Sequence, residues 1–253
     1  MNSRTERLDS LLHLSHEMAK PSQPLAILAE GNTSTRLDDH TFLVKASGAK
    51  LESLSAQDVV ECRLTALLPL LEQAGTSDAA VELALMNSRV DVNARKPSVE
   101  ALFHASLLTL PGVGFVGHAH PPFVNSVLCS PQAREFAEKR VFPDEIVCCD
   151  VASVFVPYTD PGLRLAREIR EQTQSFISAN GRPPRLVLLE NHGIIALGAT
   201  VDAVLAALWM AEKAAQIRLG AAALGGPVYL TPEHVARIAV RPDEKIRRNL
   251  MNL

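Results

Sequence analysis

The chain has 253 residues, 47% of them hydrophobic and 21% charged, enough to bury a sizeable core in one α/β domain, or in two small ones. The formal net charge is −3 with acidic and basic residues interspersed, and aromatics make up 4%, which excludes a nucleic-acid footprint and base-stacking platforms. No run of about 18 apolar residues offers a membrane span, and Cys62, Cys129, Cys148 and Cys149 form no CxxC pair or regular framework, so reduced thiols in a cytoplasmic protein are expected.

The first 20 residues carry charges throughout and no continuous apolar stretch, so no signal peptide is expected. Leu8, Leu11, Leu12 and Leu14 recur at roughly helical spacing and predict an opening amphipathic helix. Residues 26–51 hold short apolar runs broken by EGN, LDDH and ASG, the pattern of two or three strands joined by turns. Residues 56–73 and 77–90 predict helices separated by Gly75–Thr76–Ser77. Ser98 after Pro97 is placed to cap a helix that ends before Pro111.

VGFVGHAH (113–120) predicts a strand closed by Pro121–Pro122, and residues 123–139 a partly helical stretch. EIVCCD (145–150) and ASVFVPY (152–158) are strand-like, residues 160–179 predict a helix stopping at Asn180–Gly181, and RLVLLE (185–190) a short buried strand. NHGIIALG (191–198) continues as a strand after a turn, a long helix follows over 201–224, and residues 242–253 form a charged tail. There are no internal repeats. The mixture lacks strict βαβ alternation, which favours one compact α/β domain over 1–253, a mixed sheet with helices on both faces.

His118 and His120 lie two apart in a predicted strand, so both imidazoles point to one side. His192 follows in a turn between Asn191 and Gly193, where the glycine leaves room for a close backbone approach. Three imidazoles leave a coordination position open, as in a catalytic zinc site, although other divalent ions suit the same donors. Two half-exposed histidines would give the same HxH spacing without a metal. Glu100 and His104 share a helix face, and His104 reads as a packed core histidine.

GNTSTR (31–36) with VKASGAKL (44–51), KPSVEALFH (96–104), VGHAHP (116–121) and LLENHGIIALG (188–198) together resemble the class II aldolase/adducin family, the fuculose-phosphate and ribulose-phosphate aldolases among it. The segments follow the family's order. The resemblance implies a single domain with a central, mostly antiparallel sheet between helices in three layers, and a four-fold-symmetric homotetramer. It implies that His118, His120 and His192 ligate zinc and that Glu100 is the acid/base carboxylate. Asn32, Ser47, Gly48 and Ser98 match positions that bind a substrate phosphate, although Gly31–Asn32 and Ser47–Gly48 are also common turn dipeptides and Ser98 a common cap.

The expected function is therefore a zinc-dependent aldolase that cleaves a small phosphorylated sugar or hydroxyketone through an enediolate. A sibling decarboxylase or dehydratase of a sugar or sugar-acid phosphate, and a non-catalytic adducin-like scaffold, are the other readings. Three departures from the family pattern bear on the choice. Val99 replaces a second serine, and Lys45 stands where many members carry threonine before proline, as either a charge beside the phosphate turn or a solvated lysine. No tyrosine occurs in RVFPDEIVCCD (140–150), where some members keep a proton donor; only Tyr158 and Tyr229 are present.

Overall fold

In the computed structural model, residues 3–253 are described. Helix α1 (Arg4–Met18) starts from a reciprocal cap: Glu6 N–H donates to Ser3 Oγ, and Ser3 N–H donates to the Glu6 carboxylate. Its buried residues Leu11, Leu14 and Met18 confirm the helical spacing of the opening segment. Two strands follow, β1 (Asn32–Arg36) and β2 (Thr41–Lys45), joined by a turn in which Asp38 Oδ1 accepts from the main chain of His40 and Thr41.

Next come β3 (Val59–Arg63), the short α2 (Leu64–Leu67), α3 (Asp78–Ser88) and α4 (Ala101–Leu108). Strand β4 (Phe115–Ala119) leads into α5 (Pro122–Leu128), α6 (Ala133–Glu138) and α7 (Pro143–Cys149). The chain continues through β5 (Val154–Val156), α8 (Leu163–Asn180), β6 (Leu186–Leu189), β7 (Gly193–Gly198) and the long α9 (Val201–Ala222). Helices α10 (Pro232–Ala239) and α11 (Pro242–Leu250) close it. No helix of the described residues is long and apolar enough to cross a membrane.

The strands form a seven-stranded sheet in the order β3-β2-β1-β4-β7-β6-β5. Every pairing is antiparallel except β5 with β6, which is parallel. Side chains alternate across the pleat, so each strand feeds two cores. Val187, Leu189, Ile195 and Leu197 point to the layer of α2, α3, α4 and α8. Leu186, Leu188, Ile194 and Ala196 point to the layer of α1, α5, α6, α7 and α9. This is the expected three-layer α/β architecture in a single domain.

Four local expectations are corrected. Residues 56–73 do not form one helix: Val60 and Cys62 alternate inward and pair as β3 with β2, and short helical turns flank the strand at Ala56–Asp58 and from Leu64 to Leu71. EIVCCD is not a strand, because Pro143 opens a helix there with Asp144 and Glu145 in its first turn. A short apolar run does not reveal its own period, and the buried ion pair of Glu145 with Arg218 of α9 decides for helix. The charged tail is helical, with Arg247 paired to Asp144 of α7. Finally, the N-cap position of α4 belongs to Glu100; Ser98, two residues earlier, accepts from Glu100 N–H through its Oγ.

Candidate metal centre

The antiparallel order brings three chain segments to one end of the sheet. Asn32 at the start of β1 is the cross-strand partner of His118 near the end of β4, and His118 in turn faces Ile195 of β7. His120 lies just past β4, and its N–H donates to Leu25 O at 3.0 Å. The turn between β6 and β7 presents His192, with Asn191 in the left-handed region at φ 54°. The side-chain amide of Asn125 on α5 donates to His192 O at 3.1 Å, which ties that turn to the helix leaving His120.

The three imidazoles form a nearly equilateral triangle, with ring centroids 4.8, 5.0 and 5.1 Å apart. One nitrogen of each lies within 4.8 Å of the others. His118 Nδ1 faces Ile194 O at 3.0 Å and His120 Nδ1 faces a Glu30 carboxylate oxygen at 3.2 Å. Both acceptors call for the proton on Nδ1, so both Nε2 atoms present lone pairs, 3.0 Å from each other. Two converging lone pairs repel unless a cation lies between them. Tetrahedral bonds of 2.0–2.1 Å place neighbouring nitrogens roughly 3.3 Å apart, close to this separation. The donor set therefore fits a divalent metal ion.

Burial keeps His118 and His192 neutral, as metal binding requires. His118 is pushed well below its ordinary pKa by burial and by its two histidine neighbours. His192 is lowered to about 4, by burial and then by His120. Gly193 adjoins the triangle: a Cβ there would sit 2.5 Å from Ala119 O and 2.6 Å from His120 Cδ2. No side chain fits that space.

Glu100 completes the cluster, with Oε1 3.5 Å from His118 Nε2 and 3.7 Å from His192 Nε2. Its other oxygen accepts from the Asn32 side-chain amide. Burial raises the Glu100 pKa to about 7, partly offset by the Asn32 hydrogen bond and the Lys45 charge. A carboxyl in this condition gives up or takes a proton near neutral pH.

Of the proposed phosphate residues, Asn32 and Ser98 stand directly beside Glu100. Ser47 and Gly48 lie on an exposed turn docked on the same segment through the Ala46–Pro97 bridge and the bond from Ser47 N–H to Lys96 O at 2.9 Å. Lys45 is not a solvated lysine. It is 2% exposed and donates to Ala29 O at 3.2 Å and Ala49 O at 2.7 Å, and burial lowers its pKa to about 8 against the opposing pull of Glu100.

His104 is fully buried and hydrogen-bonded through Nδ1 to Ser34, as a core histidine. Tyr158 is exposed and donates to Asp160, while the Tyr229 ring lies under Lys139 and near Arg218. Sequence reasoning missed Glu30, Asn125 and Glu212. Glu30 sat inside a segment legible only as a turn, Asn125 lies 67 positions from the His192 carbonyl it holds, and Glu212 accepts from the main chain of Phe123 and Val124 at the start of α5.

The chain belongs to the class II aldolase and adducin family: the family described as "Class II Aldolase and Adducin N-terminal domain" matches residues 10–219. It is 29% identical over 180 residues to "Uncharacterized oxidoreductase YuxG" of Bacillus subtilis (strain 168), covering 68% of this chain and 24% of that protein. It is 28% identical over 165 residues to "Decarboxylase NovR" of Streptomyces niveus, covering 64% of this chain and 50% of the relative. The chain thus spans between a quarter and half of the length of these curated relatives. In fold it is similar to a solved L-fuculose 1-phosphate aldolase, with a TM-score of 0.70, 19% identity and 98% of each chain covered.

Proposed function

We propose that the protein is a metal-dependent carbon–carbon lyase acting on a small phosphorylated sugar or hydroxyketone. The observation that carries this reading is the convergence of three imidazoles and the buried Glu100 carboxyl on one point. His118, His120 and His192 hold the ion, with zinc the favoured metal for three imidazole ligands. When bound, the ion supplies Lewis acidity to the oxygens of a hydroxyketone, offsetting the negative charge that develops as the adjacent carbon–carbon bond breaks.

Glu100 takes the proton from the substrate hydroxyl and later returns it to carbon. Its position supports this role: Oε1 lies within 3.7 Å of the His118 and His192 Nε2 atoms, beside the place where the ion would sit. Asn32 holds Glu100 in place, and the Ser98 and Ser47 hydroxyls with the Gly48 main-chain N–H serve a phosphate. The assembly is taken to be a homotetramer in the cytoplasm, which light scattering of the purified protein checks.

Decarboxylation of a keto-acid phosphate, or dehydration of a sugar phosphate, is a second reading of the same centre. Residues 140–150 hold no tyrosine, and the segment is helix α7, whose Cys149 and Glu145 pack inward. A relative named as a decarboxylase is consistent with such a shift.

The test is elemental analysis of the purified protein, followed by screening for released aldehyde, carbon dioxide or lost water. About one divalent ion per chain is expected in the wild type and none in His192→Ala; full metal content in that variant removes His192 from the ligand set. Glu100→Gln should keep the metal and lose about 10²- to 10⁴-fold in turnover. Near-normal turnover would reject its role. A wild type that neither retains nor takes up metal would leave the adducin-like scaffold as the reading.

A further inference from the structure

Of the three imidazoles, His120 is the one whose outer nitrogen meets a charged side chain. His118 Nδ1 faces a main-chain carbonyl, and buried His192 Nδ1 has no partner among the described residues. Glu30 Oε2 lies 3.2 Å from His120 Nδ1, while Glu30 Oε1 accepts from Ile27 N–H at 2.8 Å. Both oxygens are thus engaged, one with the imidazole and one with the main chain three residues back.

The loop carrying Glu30 is itself fastened around the site. Leu25 O accepts from His120 N–H, and Ala29 O accepts from Lys45 Nζ. Gly31, at φ 70°, lies so close to β4 that a Cβ would come within 2.8 Å of His118 O. Glu30 approaches the nitrogen on the far side of the ring from the cluster of Nε2 atoms, so while it holds that position it does not ligate the same ion.

We propose that Glu30 is a positioning residue for His120: its carboxylate keeps the imidazole in the Nδ1–H form and fixes the ring so that Nε2 faces the divalent cation. The inference rests on the metal-site reading above. Without Glu30 the neutral ring is free to carry its proton on Nε2, the nitrogen needed by the metal, and free to rotate about its side-chain bonds. A carboxylate behind a histidine ligand also raises the ligand's basicity, and removing such a partner typically weakens metal affinity about 10- to 100-fold. Glu30 is 32% exposed, so water replaces part of the contact and the lower end of that range applies.

The experiment compares wild type, Glu30→Ala and Glu30→Gln by zinc competition with a chromophoric chelator. In parallel, imidazole ¹⁵N NMR of the metal-free proteins reads the His120 tautomer, its signal assigned by its absence in His120→Ala. The expected result is one ion per chain throughout, affinity reduced roughly 10-fold in Glu30→Ala and less in Glu30→Gln, and a His120 signal that moves away from the Nδ1–H form. A zinc affinity in Glu30→Ala within twofold of wild type overturns the proposal. Weakened affinity with an unchanged tautomer also overturns it, since the effect would then come from the loop alone. Absence of zinc binding in wild type defeats the metal-site reading; the tautomer measurement still judges the Glu30–His120 contact in that case.

Discussion

Gly193 stands where β7 leaves the histidine cluster, and its lack of a side chain is a steric requirement rather than a backbone one. An added Cβ would press on Ala119 O and on the His120 ring, so either β7 or the ring must move. Gly193→Ala should cost about 1–3 kcal/mol in urea unfolding, as overpacking does, and should also lower metal content. Wild-type values for both would show that the strand has slack there. Lys45 makes a different prediction. Its folded pKa of about 8 lies below the ordinary value of 10.5, so the folded chain releases that proton first as pH rises. Between about pH 8 and 10.5 the unfolded state binds more protons, and the Lys45 contribution to stability should increase with pH. The difference in unfolding free energy between wild type and Lys45→Met should therefore grow in wild type's favour across that window. A flat difference would place the ammonium in a wetter setting than its 2% exposure indicates.

At the scale of elements, α5 links the two halves of the centre. It begins just after His120 and carries Asn125, whose amide reaches His192 O. The start of α5 is held from α9: Phe123 and Val124 N–H both donate to the buried Glu212 carboxylate. Glu212→Ala strands two main-chain donors and should destabilise the fold by about 2 kcal/mol, with a parallel loss of metal affinity as the His192 turn loosens. Chemical denaturation and zinc titration check the two effects, and unchanged zinc affinity would uncouple α5 from the site. Glu212 and Asn125 were invisible in the sequence because their partners are main-chain groups, which any residue supplies. The three histidines could be picked out as a candidate cluster from residue type and spacing, and Glu100 from the resemblance to the family. Element types followed the same division. Helix α1 and strands β4, β6 and β7 could be read from spacing, apolar runs and flanking turn residues, whereas the state of β3 and α7 depends on what packs against them.

For the whole molecule, the metal should act as a stabilising ligand, since the unfolded chain lacks a preformed site. At an ion concentration about 100 times Kd the gain is ~2.7 kcal/mol, which for a chain of this size corresponds to roughly 5–10 °C in Tm. Chelation should lower the melting temperature by that amount and readdition should restore it. An unchanged Tm in differential scanning calorimetry would mean that the ion, if bound, is held weakly. The sequence by itself determined the class of the fold and the family, because alternating burial, turn residues and the five motif segments are local properties of the chain. Only the tertiary structure decided that Asn32 meets Glu100, that Lys45 is buried between two loops, and that Glu30 stands behind His120. The contacts of Asn32 with Glu100, Lys45 with Ala29 and Glu30 with His120 join residues 68, 16 and 90 positions apart, and strand order and register are set by the packing of both helical layers against the sheet.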